Sequence, residues 1–348
     1  MKLLVTGGTG YLGQYLVKKL AKDGQKIYVL VRRRSLKKYQ KSFAEFENVE
    51  LVLGDITNPD IFDEESVAEK VKSEIEGIVH AAAFYDLEGD YSRSFLFNVV
   101  GTQNVLYFSR QCPELQIFHH ISTVAVAGDF AGSLYEEVLE CGQSFNNHYA
   151  KTKYDSELLV RQWETNVKKR IYRLGVLVGD STNGEIPKVD GPYYFFNLLA
   201  KFKKKRNLIS KLKFLPLPFE GNSVFPMIPV DHAADHIASG VLQSELSLEP
   251  FRCYHVISQQ CPTVGQFMQD AMDEFGFKVK VLPLPKNALN KLIMQQIGLP
   301  KELLSYMYSG CHYDKGQIEK DFPNMSKSLY SEYKRPLFNF ATRKFFGS

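Results

Sequence analysis

Through the first half of the chain, short aliphatic and β-branched runs alternate with stretches whose apolar positions recur every three or four residues. That is how parallel strands covered by helices on both faces read in sequence. Lys2–Thr6, Lys26–Val31, Val49–Leu53, Gly77–His80, Ile117–Val126 and Arg170–Val178 read as strands. Between them, Tyr11–Asp23, the acidic stretch Ile61–Ser73, Asn98–Gln111 and His148–Thr165 read as helices. The succession predicts a doubly wound α/β sheet over residues 1–180. After Gly179 the alternation stops and prolines and aromatics cluster, as in Gly191-Pro192-Tyr193-Tyr194-Phe195-Phe196 and Leu215-Pro216-Leu217-Pro218-Phe219. Residues 181–348 therefore read as a smaller substrate-binding region, except that Val230–Leu242 reads as a helix returning to the first domain, with Asp231 as its N-cap.

Composition narrows the class. The 348 residues, 44% hydrophobic and 24% charged, suffice for about two domains and exclude a disordered chain. No apolar run is long enough to span a bilayer and the start shows no signal-peptide pattern, so the expectation is a cytoplasmic protein. The five cysteines are widely spaced with no Cys-x-x-Cys pair, which predicts reduced thiols and no zinc site. His232 and His236 lie one helical turn apart, but their apolar flanks point to a structural role, and no metal is expected.

Thr6-Gly7-Gly8-Thr9-Gly10-Tyr11-Leu12-Gly13 sets Gly7, Gly10 and Gly13 at three-residue intervals between a strand and a helix. A dinucleotide pyrophosphate needs close backbone approach and the amides of a helix N-terminus, so Gly7, Thr9, Gly10, Tyr11, Leu12 and Gly13 are the expected phosphate cradle. The second strand ends in Val31-Arg32-Arg33-Arg34, with no acidic residue between Asp23 and Glu45. Positive charge at that strand end suits a ribose 2′-phosphate, so NADP(H) is expected, held first by Arg32 and second by Arg33. Asp55 and Ile56, ending the third strand, are candidates for the adenine. Ala81, Ala82 and Ala83, after the fourth, leave room for the cofactor.

Tyr149 and Lys153 stand four residues apart on one helical face, just after a strand ending in Ser122-Thr123. Tyr15/Lys19 and Tyr330/Lys334 repeat the spacing but not the position. With the glycine loop, Asp55-Ile56, Ala81–Ala83, Asn98-Val99-Val100-Gly101-Thr102 and the Tyr149/Lys153 pair in order, residues 1–180 resemble an extended short-chain dehydrogenase/reductase with a Rossmann sheet. The resemblance implies Tyr149 as general acid/base, Lys153 holding the nicotinamide ribose and lowering the tyrosine pKa, and Thr123 bonding the substrate oxygen. Ser122 is the second choice, since a regular strand turns it to the other face. Val176 is implied beside the nicotinamide. Leu174 stands where many relatives have proline, which puts contacts in that loop in doubt.

Gly179-Asp180-Ser181 to Gly184 and Lys188-Val189-Asp190-Gly191-Pro192-Tyr193 resemble the fatty-acyl-CoA reductase, male-sterility and thioester-reductase branch. This implies a lipid-like carbonyl or an acyl thioester, free or carrier-bound, reduced to aldehyde or alcohol. Two other readings stay open: a sugar-nucleotide epimerase or dehydratase, and a non-catalytic cofactor-binding assembly or scaffold protein. Against the first stands a second region short of polar groups for a nucleotide diphosphate. Against the second stand intact Thr123, Tyr149 and Lys153.

The formal net charge is only +4, yet Lys201, Lys203, Lys204, Lys205, Arg206, Lys211 and Lys213 fall in thirteen residues without an acid, interleaved with Phe202, Leu208, Ile209 and Leu212. The segment 334–346 repeats the theme. Peripheral contact with an anionic membrane, docking of an acidic carrier, contact with CoA phosphates, or a solvated face are all open for these stretches. A homodimer is open too. Nucleic acid is not expected, because no binding module accompanies the charge.

Overall fold

The computed structural model describes residues 1–86, 89–243, 249–287, 290, 292, 296, 303–323 and 327–347. The first half alternates β1 (Lys2–Thr6), α1 (Tyr11–Lys22), β2 (Lys26–Val31), α2 (Leu36–Ser42), β3 (Val49–Leu53), α3 (Glu65–Glu74), β4 (Gly77–His80), α4 (Tyr91–Phe95), α5 (Gly101–Ser109) and β5 (Ile117–Thr123). Then come β6 (Gly132–Leu134), α6 (His148–Gln162), β7 (Lys168–Leu174), β8 (Val176–Val178), α7 (Tyr193–Lys201), α8 (Arg206–Ile209), β9 (Phe214–Pro218), β10 (Met227–Pro229) and α9 (Val230–Leu242). The last described elements are β11 (Phe251–Val256), α10 (Val264–Glu274), β12 (Lys280–Leu284), α11 (Leu303–Met307), β13 (Cys311–Tyr313), α12 (Gly316–Asp321) and α13 (Tyr330–Ala341).

Seven strands form one parallel sheet in the order β11-β7-β5-β4-β1-β2-β3. Period-two alternation divides their side chains between two cores. Leu3, Val5, Val29, Ile121 and Tyr254 face Leu16 and Val17 of α1 and Ala234 and Ile237 of α9. Leu4, Tyr28, Ile78, Phe118 and Ile171 face Val71 of α3, Val105 of α5 and Val160 of α6. Strand order reverses between β1 and β4, the place where doubly wound sheets open a ligand crevice.

The helix Val230–Leu242 forms with the expected bounds and packs on α1. Asp231 is not its N-cap. Pro229 holds that position, and the Asp231 carboxylate instead accepts from the Ser181 amide at 2.9 Å and the Ser181 hydroxyl at 2.5 Å, tying α9 to the loop after β8. The strand expected over Ile117–Val126 stops at Thr123, whose Oγ1 accepts the Ala125 amide at 3.2 Å and starts a 3₁₀ turn. Arg170–Val178 divides into β7 and β8 at Gly175, where a Cβ would lie 2.4 Å from the Pro226 carbonyl. The helix expected from Asn98 begins at Tyr91 and passes through a π turn over Leu96–Val100. β11 was missed altogether, and α7, α10 and α13 build a further aromatic core with Phe196, Phe267, Phe275 and Phe338.

Candidate active site

α1 starts with no side-chain cap and no acidic residue in its first turn, so its leading amides face the end of the sheet unclaimed. Gly7 has φ +74° and approaches the Ala81–Ala82 backbone so closely that a Cβ would lie 2.4 Å from the Ala82 nitrogen. A Cβ on Gly13 would strike the Gly7 carbonyl at 2.1 Å, whereas one on Gly10 would meet only that carbonyl, at 3.1 Å, and otherwise open space. The loop therefore fits a diphosphate: two glycines close the turn and the third leaves the helix end bare.

Asn147 caps α6, its Oδ1 accepting the Ala150 amide at 2.8 Å, and thereby sets Tyr149 and Lys153 on the inward face. Lys153 is buried and donates to the Ile121 carbonyl at 2.7 Å. Tyr149 lines the cavity beside the Thr123 hydroxyl and meets Tyr85 edge-on at 4.8 Å. Asn98 locks this corner. Its Oδ1 accepts the Phe84 amide at 2.7 Å, and its Nδ2 donates to the Phe84 carbonyl at 3.1 Å and to Thr152 at 3.0 Å.

The resemblance implies a tyrosine pKa lowered by Lys153, whereas in the structure burial dominates and acts the other way. Burial holds the Tyr149 phenol above its ordinary range, reinforced by the Tyr306 phenol and the Asp190 carboxylate and opposed by the Thr123 hydroxyl. Burial takes Lys153 down to about 8, opposed by Glu157. The protonated phenol is thus the stable form here.

Glu157 supports the pair from behind. It accepts Ser122 Oγ at 2.6 Å and Arg173 Nη2 at 2.8 Å, all three being buried. Burial pushes its carboxyl up, but Arg173, Arg161 and Ser122 outweigh that and hold it at about 2. Ser122 therefore serves Glu157. Glu157→Gln leaves the Arg173 guanidinium uncompensated in the interior, and the expected cost is roughly 3–5 kcal/mol in urea unfolding. A loss within the noise of that measurement would refute the coupling.

Gly7, Gly10, Tyr11, Leu12, Gly13, Ala81, Ala83, Thr123, Tyr149, Lys153 and Val176 all line one cavity of about 430 Å³. Thr9, Arg32, Arg33, Asp55, Ile56 and Ala82 lie outside it. Arg32 is exposed, its guanidinium 6.0 Å from the centre of the Phe97 ring, while Arg33 pairs with Asp63 at 3.1 Å. Asp55 accepts the Thr57 amide and hydroxyl at 3.0 Å each, and the Ile56 side chain is buried under Gly101. His232 bonds Ser328 and His236 bonds the His232 carbonyl, and among the described residues no group of three potential metal ligands forms.

The cavity also has a wall the motifs did not reveal. Phe195, Phe225, Phe267, Met268 and Met307 line it beyond Tyr149, and Tyr85 donates to Asp190 at 3.1 Å across its mouth. These residues come from segments as far apart as Tyr85 and Met307, so no local spacing could have grouped them.

The family model described as male sterility protein matches residues 5–237. The chain belongs to this family. Among curated relatives, it is 32% identical over 171 residues to an alcohol-forming fatty acyl-CoA reductase of Simmondsia chinensis, covering 41% of this chain and 35% of the relative. It is 26% identical over 186 residues to the NRPS-like oxidoreductase fscA of Fusarium equiseti, covering 51% and 18%. Both matches thus span well under two thirds of the relatives' length. Among solved structures, the terminal R domain of the myxalamid PKS-NRPS pathway superposes with a TM-score of 0.74 at 22% identity, covering 99% of this chain and 91% of that one. At that identity the likeness speaks to the fold, which is that of an extended short-chain dehydrogenase/reductase with a nicotinamide-dinucleotide-binding domain. No helix among the described residues is long and apolar enough to cross a membrane.

Proposed function

We propose that this protein reduces an acyl thioester to an aldehyde with NADPH. One observation carries the reading: Thr123, Tyr149 and Lys153 open onto the same cavity as the glycine loop, and the remaining wall is mostly apolar, with Lys188 and Asp190 as its charged members. Bound NADPH supplies the hydride. The leading amides of α1 bind the diphosphate, and Lys153 has ammonium protons beyond the one given to Ile121 with which to bond the ribose hydroxyls. Thr123 and Tyr149 orient the thioester carbonyl through its oxygen. Tyr149 gives that oxygen a proton as hydride reaches the carbon, and collapse of the resulting hemithioacetal releases thiol and aldehyde. Phe195, Phe267 and Met268 receive the acyl chain and exclude water from the reacting carbon.

A sugar nucleotide suits this wall poorly. A diphosphate needs several cationic or amide donors beyond the cofactor's own, and among the described residues of this wall Lys188 is the single cation added to Lys153.

The test is cofactor oxidation by the purified chain against acyl-CoA, acyl-pantetheine, ketone and sugar-nucleotide panels. Thioester-dependent NADPH oxidation with thiol release is expected, and turnover of sugar nucleotides alone would refute the reading. Arg32 is proposed to hold the 2′-phosphate. Arg32→Glu should raise the KM for NADPH by about 10–100-fold and leave that for NADH unchanged. Equal effects on both cofactors would remove Arg32 from that role.

A further inference from the structure

The basic stretch after α7 is a surface, not part of the cavity. All seven basic side chains between Lys201 and Lys213 are exposed, and none forms an ion pair among the described residues. Seven positive charges in thirteen residues without an acid make this stretch a local excess of positive charge.

Neighbouring segments extend it. Lys203 donates to the Phe346 carbonyl at 3.1 Å, which brings exposed Lys344 alongside. The Lys278 amide donates to Ser210 at 2.9 Å, and Lys280 pairs in register with Phe214, so both of these exposed lysines join the same face. Asp273 and Glu274 end α10 nearby, and neither forms an ion pair with the stretch among the described residues.

Charge alone would be a solvated face. What distinguishes this one is the apolar residues held out among the lysines: Leu208 is 65% exposed, Leu212 50% and Phe214 42%. Phe202 and Ile209 of the same stretch turn inward onto the aromatic core, which anchors the segment while Leu208 and Leu212 project. An interfacial segment has this make-up, with aliphatic tips that enter the headgroup boundary and a surrounding collar of lysines that meets anionic headgroups. An acidic protein surface would satisfy the lysines but leave three large apolar side chains to find pockets of their own. The segment also continues α7, whose Phe195 lines the cavity, about 9 Å along the helix axis from Lys201.

We propose that this face docks on a bilayer rich in anionic phospholipid, with the lysines at the headgroups and Leu208, Leu212 and Phe214 within the interface. The docking is independent of the reaction and stands or falls apart from it. The test is co-sedimentation of the full chain with phosphatidylcholine–phosphatidylglycerol vesicles and with phosphatidylcholine vesicles, across salt. The parent should bind the anionic vesicles, weaken as salt rises and ignore the neutral ones. Lys203→Glu with Lys204→Glu and Lys205→Glu should lower binding at least about ten-fold, as should Leu208→Ser with Leu212→Ser, which leaves the charge unchanged. Thermal midpoints check folding, and Gln at the three lysine positions replaces Glu should the reversal disturb it. Three results would overturn the proposal: no binding of the parent, equal binding to both vesicle types, or undiminished binding of the Leu208/Leu212 variant. The last would describe a purely electrostatic patch of the kind an acidic carrier takes.

Discussion

Tyr149→Phe lowers turnover by roughly 10²–10⁴-fold while cofactor affinity stays within a factor of about two. The substitution removes one hydroxyl and keeps the ring, so the edge-on contact with Tyr85 and the shape of the wall survive. What is lost is the proton delivered to the carbonyl oxygen, and the partner of Thr123 in orienting it. Lys153 is unaffected in position because its fixed hydrogen bond goes to the Ile121 carbonyl. Steady-state rates with the preferred thioester, set beside a cofactor titration by fluorescence, separate the two effects. Undiminished turnover would place the proton donor elsewhere.

The second large effect is on stability. His80, His119, His120 and His255 are all buried within the sheet, and burial lowers each imidazole, to about 3 for His80 and His119, well below the ordinary range for His120, and to about 4 for His255. The hydrogen bonds explain why two of them have no place for a second proton. Thr102 spends its hydroxyl proton on the Asn98 carbonyl, so His80 Nε2 must donate to Thr102 and His80 Nδ1 must accept from Thr6. His255 donates through Nδ1 to the Asp314 carbonyl at 2.7 Å and accepts Arg173 at Nε2. The sign follows from linkage. Below about pH 6.5 the unfolded chain binds four protons that the folded chain refuses, so stability is full above that pH and falls with acid. Between pH 7 and 5 the loss is roughly 2 kcal/mol for each of His80, His119 and His255, His120 acts in the same direction, and Glu136, raised to about 7 by burial, offsets part of it. Urea midpoints should therefore fall steeply below pH 6.5, and a flat profile to pH 5 would show that these rings are charged in the fold.

How much was legible in the sequence depended on how local the cause was. The glycine loop is a local steric requirement, and its three glycines stand where the backbone comes too close for a Cβ or must stay open. Six of the seven sheet strands showed in their aliphatic runs because strands buried on both faces leave little choice of residue. β11 did not, since Phe251–Val256 mixes Arg252 and His255 into the run. Their shortest side-chain bonds reach across 59 residues or more, Arg252 to Asp321 and His255 to Asp314, with Arg173 donating to the other His255 nitrogen.

Spacing alone could not choose the candidate pair. Tyr15 with Lys19 and Tyr330 with Lys334 have the same four-residue interval as Tyr149 with Lys153. Packing decides: Lys19 pairs with Asp235 at 3.1 Å, Lys334 pairs with Asp270 at 3.1 Å, and only Tyr149 and Lys153 both face the cavity beside the glycine loop.

By itself, then, the sequence determined the doubly wound sheet and the helix that returns to it, and it named the candidates for holding a diphosphate and moving a proton. These follow from side-chain periodicity and from steric demands between near neighbours. Only the tertiary structure decided which of the three spaced phenols faces the cavity, that burial raises that phenol's pKa further, that Ser122 belongs to Glu157, and that aromatic residues from distant segments form much of the wall. Those outcomes depend on desolvation and on contacts between elements far apart in the chain, and no local pattern encodes either.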